Sequence, residues 1–82
     1  MKIEIGDIYR YTNKVVLKII DKFDGVGYGY DILKSCNIDD VQFNSDIYWI
    51  LEHPYTASDR MMKGAIKGCE RISEKEALAW CI

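Results

Sequence analysis

The strongest pattern in the chain is a pair of apolar segments on either side of Asp24-Gly25. Residues 14–23 and 26–33 are rich in β-branched and aromatic side chains, which suit a pleated, half-buried strand. Asp-Gly between two such strands favours a type I′ turn, because that turn needs positive φ at both central residues. The pattern therefore predicts one long β-hairpin over residues 14–34.

A two-residue turn also predicts the register of this hairpin, because side chains alternate along a strand. Phe23 then lies opposite Val26, and Lys18 lies opposite Asp31. The other predicted pairs are Asp21 with Tyr28, Ile19 with Tyr30, Leu17 with Ile32, Lys22 with Gly27, Ile20 with Gly29, and Val16 with Leu33. One face is then mostly apolar and aromatic, and the other carries an ion pair and two glycines. Glycine within a strand indicates a bend or the close approach of another backbone.

Shorter segments predict the remaining elements. Strands are predicted at residues 2–5, 8–11, 41–43 and 69–72. Residues 47–51 fit either a buried strand or a helix capped by Asn44 or Ser45, and their β-branched and aromatic content favours the strand. Residues 60–67 have no clean period, so they fit either a broken strand or one helical turn capped by Ser58.

The C-terminal segment carries a clear helix start. Ser73 followed three residues later by Glu76 is a capping box, in which each side chain satisfies a backbone N–H of the other residue. A helix of about two turns is not stable alone in water. We therefore expect Leu78 and residues 80–82 to dock on the sheet.

Composition narrows the class of protein. The chain has 82 residues, 49% of them apolar and 29% charged, with a net charge of −2, so we expect residues 1–82 to form one small domain. The weak negative charge argues against a general nucleic-acid binder. No segment is typical of a secretory signal or a membrane span. Three widely spaced cysteines, Cys36, Cys69 and Cys81, suggest free thiols in a cytoplasmic protein.

The chain shows no catalytic or metal-binding signature. His53 is its single histidine, and no flanking motif joins it to a nucleophile and an acid. The scattered cysteines do not have the spacing of a metal site. We therefore expect a protein that is not an enzyme and that has no catalytic residue, metal or cofactor.

The aromatic side chains are more informative, because they are numerous for so small a core. The tyrosines and tryptophans are Tyr9, Tyr11, Tyr28, Tyr30, Tyr48, Trp49, Tyr55 and Trp80. Most are expected in the core, with hydroxyls at its margin, and the surplus is expected to form an exposed patch that binds a partner. The candidate binding residues are Tyr9, Tyr11, Tyr28, Tyr30 and Tyr55.

Together these features predict a mostly β, α+β domain. Its sheet is expected to be a small antiparallel sheet or a partly open, SH3-like barrel, with one short C-terminal helix. By elimination we expect a non-enzymatic module that binds another macromolecule, most simply a protein. Its size and composition suggest a phage or mobile-element inhibitor of a host protein. Two alternatives stay open: a small-ligand protein with an aromatic, nucleotide-like pocket, and a single-stranded nucleic-acid binder.

Overall fold

The computed structural model describes residues 2–12, 14–41, 45–53 and 55–81. In chain order the elements are β1 (Ile8–Tyr11), β2 (Val15–Phe23), β3 (Gly27–Lys34), a 3₁₀ turn (Ile38–Val41), α1 (Ser45–Glu52), β4 (Tyr55–Ser58), α2 (Asp59–Lys67), β5 (Glu70–Ile72) and α3 (Glu74–Trp80). The strand predicted at residues 2–5 is wrong, since that segment has no strand structure. Of the strand predicted at residues 41–43, Val41 ends the 3₁₀ turn and the rest lies outside the described residues.

The strands form one antiparallel sheet in the order β4-β3-β2-β1-β5. This confirms a compact α+β fold. The sheet is open, with β4 and β5 at its two edges, and does not close into the SH3-like barrel that was one of the two expectations. The expectation of a single C-terminal helix is also wrong, because α1 and α2 precede α3 and cover one face of the sheet.

The hairpin of β2 and β3 matches the predicted register in its central part. Leu17 pairs with Ile32, Lys18 with Asp31, and Ile19 with Tyr30. Two β-bulges shift the register on either side, because Ile20 in β2 and Leu33 in β3 are each an extra residue. An extra residue in one strand shifts the pairing of the two strands by one position and increases the local twist.

The bulges correct the outer part of the prediction. The observed pairs are Asp21 with Gly29, Lys22 with Tyr28, Phe23 with Gly27, and Val16 with Lys34. Val26 therefore belongs to the turn, where its N–H donates to the Phe23 carbonyl at 2.9 Å. Gly25 has a φ of 73° and Asp24 is not in the positive region, so the turn is not type I′.

The first face of the sheet packs against α1 and α2. The tyrosines of β3 face this layer, and the Tyr30 hydroxyl donates to the Ile50 carbonyl at 3.0 Å and the His53 carbonyl at 2.6 Å. The strand predicted at residues 47–51 is wrong. Ile47 and Ile50 are fully buried on one side of α1. The Tyr30 hydroxyl satisfies carbonyl groups at the end of α1 that have no hydrogen-bond partner within the helix.

The helix alternative for residues 60–67 is confirmed and longer than expected. Ser58 is the N-cap of α2, and its hydroxyl accepts a hydrogen bond from the Met61 N–H at 3.2 Å. Gly64 lies inside α2 because the Asp46 carboxylate of α1 fills the space where a Cβ would be.

The second face of the sheet packs against α3, as the capping box predicted. The Ser73 hydroxyl accepts from the Glu76 N–H at 3.1 Å, and the Glu76 carboxylate accepts from the Ser73 N–H at 3.4 Å. Ala77 and Trp80 pack on this face, and the Arg10 guanidinium lies 4.4 Å from the centre of the Trp80 ring. Leu78 does not dock as predicted, since 66% of it is exposed.

The capping box gives a direct test of how α3 is held. Ser73→Ala should lower the free energy of unfolding by about 1 kcal/mol. The Glu76 N–H loses its acceptor, and the Glu76 carboxylate that accepts from the residue 73 N–H is no longer held in place by the serine hydroxyl. Urea denaturation followed by tryptophan fluorescence measures the change. A variant with unchanged stability would show that α3 does not contribute to the cooperative unit.

Two glycines allow a matched test of close packing. A Cβ at Gly27 would overlap the Ala57 carbonyl oxygen of β4, whereas one at Gly64 would meet the end of the Asp46 side chain. Gly27→Ala should cost about 1–3 kcal/mol, because a backbone atom must move. Gly64→Ala should be close to neutral, because a gain of about 1 kcal/mol in helix propensity offsets the rotation of Asp46. Equal losses of stability in urea melts would contradict this comparison.

Candidate functional site

The two faces of the sheet are covered unequally. On the first face, α1 and α2 bury the side chains of the central strands. On the second face, α3 covers Ile8 of β1, Val16 of β2 and Ile72 of β5. The remainder of that face, along β2 and β3, has no layer over it among the described residues.

Four large apolar side chains are exposed along this uncovered part. Ile20 is 47% exposed, Phe23 43%, Leu33 41% and Leu78, on the margin of α3, 66%. We call these four residues the open strip. Exposed apolar residues that occur singly are ordinary, but several on one uncovered face indicate an interaction surface.

Two of the four are the bulge residues of the hairpin. Ile20 interrupts β2 and Leu33 interrupts β3. A bulge re-aims its side chain and is over-represented beside functional sites. In a regular hairpin Leu33 would have paired with Val16; instead it lines a groove with Leu78.

The glycines of β3 lie between the exposed side chains. Gly29 lies next to the side chains of Ile20 and Asp21, and Gly27 pairs with Phe23. The close approach predicted from these glycines is confirmed, because the backbone of β4 occupies the space beside Gly27. The uncovered face is therefore low at these glycines, and the apolar side chains stand around them.

A groove borders this surface beside α3, and a second cleft near the hairpin turn reaches round to Trp49 of α1, on the first-face side. Beside α3 is a groove of about 250 Å³, lined by Ile8, Lys18, Leu33, Glu74, Ala77, Leu78 and Cys81. At the turn of the hairpin is a cleft of about 370 Å³, lined by Phe23, Val26, Gly27, Trp49, Thr56, Ala57 and Ser58. Concave apolar pockets are where anchor side chains of a partner can be buried.

The charges that flank the open strip are of both signs but differ in exposure. Asp21, Asp31 and Glu74 are exposed, whereas Lys18 and Lys34 are only half-exposed. The Lys34 ammonium lies 5.8 Å from the centre of the Trp80 ring, which attracts it away from solvent. The most exposed charges around the open strip are therefore carboxylates, with the two lysines lying lower beside them.

The candidate tyrosines do not form one exposed surface. Tyr9, Tyr28 and Tyr30 are core residues, Tyr11 is half-buried, and Tyr55 is 73% exposed on the edge strand β4. Burial raises the pKa of Tyr30 to about 12; burial and a hydrogen bond to Asp7 raise that of Tyr9 to about 12 as well. Buried rings of this kind cannot stack on a ligand, and Tyr55 alone can.

The open strip was not among the residues selected from the sequence. The predicted register had already placed Ile20 and Leu33 on the face opposite the tyrosines. The area that α3 covers determines which part of that face stays exposed, and the order of apolar and polar residues does not predict this area.

His53, the single histidine, lies just after α1. The His53 ring stacks on Trp49 with centroids 4.4 Å apart, and its Nδ1 lies 3.1 Å from the Trp49 carbonyl. Within residues 2–12, 14–41, 45–53 and 55–81, no group of His, Cys, Asp or Glu could hold a metal ion, and no helix is long and apolar enough to cross a membrane.

Comparisons with protein-family models, with curated proteins and with solved structures found no match to this chain.

The three cysteines are free, as expected, and provide a probe of the groove. Cys81 is exposed and lines the groove, whereas burial raises the pKa of the Cys69 thiol to about 11. Since the thiolate is the reactive form, iodoacetamide at pH 8 should alkylate Cys81 at least tenfold faster than Cys69. Peptide mapping after a short pulse measures both rates. Equal rates in the folded protein would contradict the described burial of Cys69.

Proposed function

We propose that this protein is a non-enzymatic interaction module that binds a second protein through the open strip. The observation that carries the proposal is the exposure of four large apolar side chains on the half-covered second face of the sheet. Full burial of one such side chain stabilises a complex by about 1.5–3 kcal/mol. A partner that covers the open strip would remove most of this exposed apolar surface from water.

The face of the sheet is a better binding surface than its edges. β4 has four residues and β5 has three, and each is followed directly by a capped helix. A short edge offers few free backbone groups to an added strand. Strand addition is therefore weak here, and contact with the face is favoured.

The acidic margin distinguishes a protein partner from a nucleic acid. Stacking of bases needs exposed aromatic rings beside Lys or Arg, but Tyr9, Tyr28 and Tyr30 are buried and the exposed charges of the strip are acidic. Repulsion between these carboxylates and phosphates disfavours a single-stranded nucleic acid.

A small-ligand site is the second candidate, and the cleft beside Trp49 favours it. Its volume of about 370 Å³ lies within the range of small-molecule pockets, about 300–1,000 Å³. Native mass spectrometry of the protein with nucleotides tests this candidate, and a bound nucleotide lost on Trp49→Ala would support it over the protein partner.

Binding without turnover also fits the inhibitor expected from size and composition. Such a protein needs only to cover a surface of its target, in a compartment where its thiols stay reduced. We keep inhibition of a host protein as part of the proposal.

Substitutions that introduce a negative charge at single exposed residues test the open strip. Cross-linked pull-downs from a lysate of the producing cells should recover a defined partner with the native chain and lose it with Ile20→Asp or Leu33→Asp. Tyr55→Asp is the matched control, because Tyr55 is also exposed but lies on the edge strand. Urea melts of all variants should remain close to the native curve, since each side chain is exposed.

The same experiment can contradict the proposal. If Tyr55→Asp loses the partner and the strip variants keep it, the binding surface is the aromatic edge instead. If an activity of the protein is lost on His53→Ala but kept in the strip variants, the protein is an enzyme.

A further inference from the structure

We infer that the partner presents an amphipathic α-helix, apolar on one side and basic along its margins, which lies along the open strip beside α3. This inference rests on the proposed function and specifies the partner of the same site. It follows from the spacing of the exposed side chains, the width of the uncovered face and the sign of its charges.

The spacing along β2 fits the pitch of a helix. Leu33 is the extra residue beside Leu17, since Leu17 pairs with Ile32 and Val16 pairs with Lys34. Ile20 comes three residues after Leu17, and Phe23 three residues after Ile20, which gives two intervals of about 10 Å at about 3.3 Å per residue. Two turns of an α-helix advance about 10.8 Å. A helix with apolar residues at positions i, i+7 and i+14 would therefore place one of them near each exposed side chain.

The width of the uncovered face leaves room for one helix. β2, β3 and β4 are adjacent strands, and three strands at about 4.8 Å spacing give a surface about 10–15 Å wide. An α-helix with its side chains is about 10–12 Å across. Since α3 already covers β1 and β5, one added helix would complete a two-helix layer, as α1 and α2 do on the first face.

A second copy of this chain fits less well. The α3 of a second copy would bring Glu74 and Glu76 with a single Lys75 against Asp21 and Asp31. Like charges across an interface are unfavourable.

The exposed carboxylates instead fit basic residues on the partner helix. Asp21 lies beside Gly29, and Asp31 is the cross-strand partner of Lys18. Lys or Arg residues that flank an apolar stripe would pair with them at the margin of the contact. Such pairs mainly increase the association rate and select the partner, while the apolar anchors provide affinity.

Synthetic peptides test the inference on the full chain. The probe is an 18-residue fluorescent peptide with leucines on a heptad stripe and lysines on its margins. One control replaces every lysine by glutamate, and another keeps the composition but breaks the heptad spacing. Fluorescence anisotropy should show binding of the first peptide at least tenfold tighter than either control, and circular dichroism should show that it gains helix on binding.

Protein variants then locate the contact. Leu33→Asp and Ile20→Asp should weaken the basic peptide at least tenfold, while Tyr55→Asp should leave it unchanged. Asp31→Lys should weaken binding and flatten its dependence on salt, whereas Asp39→Lys, on the 3₁₀ turn, should do neither. Equal affinity for the basic and acidic peptides, or loss of binding in the Tyr55 variant alone, would overturn the inference.

Two further outcomes separate this inference from the proposed function. A photo-cross-linker attached to Cys81, in a Cys36→Ser background, should join the groove to a partner segment that has a basic, heptad-spaced sequence. If Leu33→Asp abolishes partner capture but the cross-linked segment is extended or acidic, the helix inference fails and the proposed function stands. If size-exclusion chromatography shows a dimer that Leu33→Asp dissociates, the occupant is a second copy and the helix inference is wrong.

Discussion

The alternation of side chains along β2 and β3 is the constraint on which the rest of the structure depends. It directs Leu17, Ile19 and Tyr30 to the first face and Val16 and Lys18 to the second. Because both faces then carry apolar side chains, helices are needed on both sides. Two helices cover the first face, but only the short α3 packs on the second. Part of the apolar surface of the second face is therefore left exposed.

The central hairpin and the capped helix could be predicted because each has a local chemical cause. Asp24-Gly25 marks the turn, Lys18 and Asp31 mark the register, and Ser73 with Glu76 marks the start of α3. The bulges could not be predicted in the same way. An extra residue such as Ile20 changes pairing without any change in residue type, so the alternation of apolar positions is the same with and without it.

The helix α1 and the open strip were missed for a shared physical reason, which is that tertiary packing decides them. Ile47 and Ile50 fit one side of a helix, but their β-branched and aromatic content gives stronger local support to a strand. The helix is selected by burial against the sheet and by the Tyr30 hydroxyl at its end. Residue type likewise identifies the aromatic side chains but not their burial, and packing on the first face buries Tyr9, Tyr28 and Tyr30.

Both edge strands share a feature with a consequence for how the domain opens. Ser58 is the last residue of β4 and the N-cap of α2, and Ser73 follows β5 and is the N-cap of α3. An edge strand cannot slip by one residue without moving its serine out of the capping position. Each strand and its helix should therefore separate from the sheet as one cooperative unit, and amide hydrogens in β4 and α2 should exchange with solvent together.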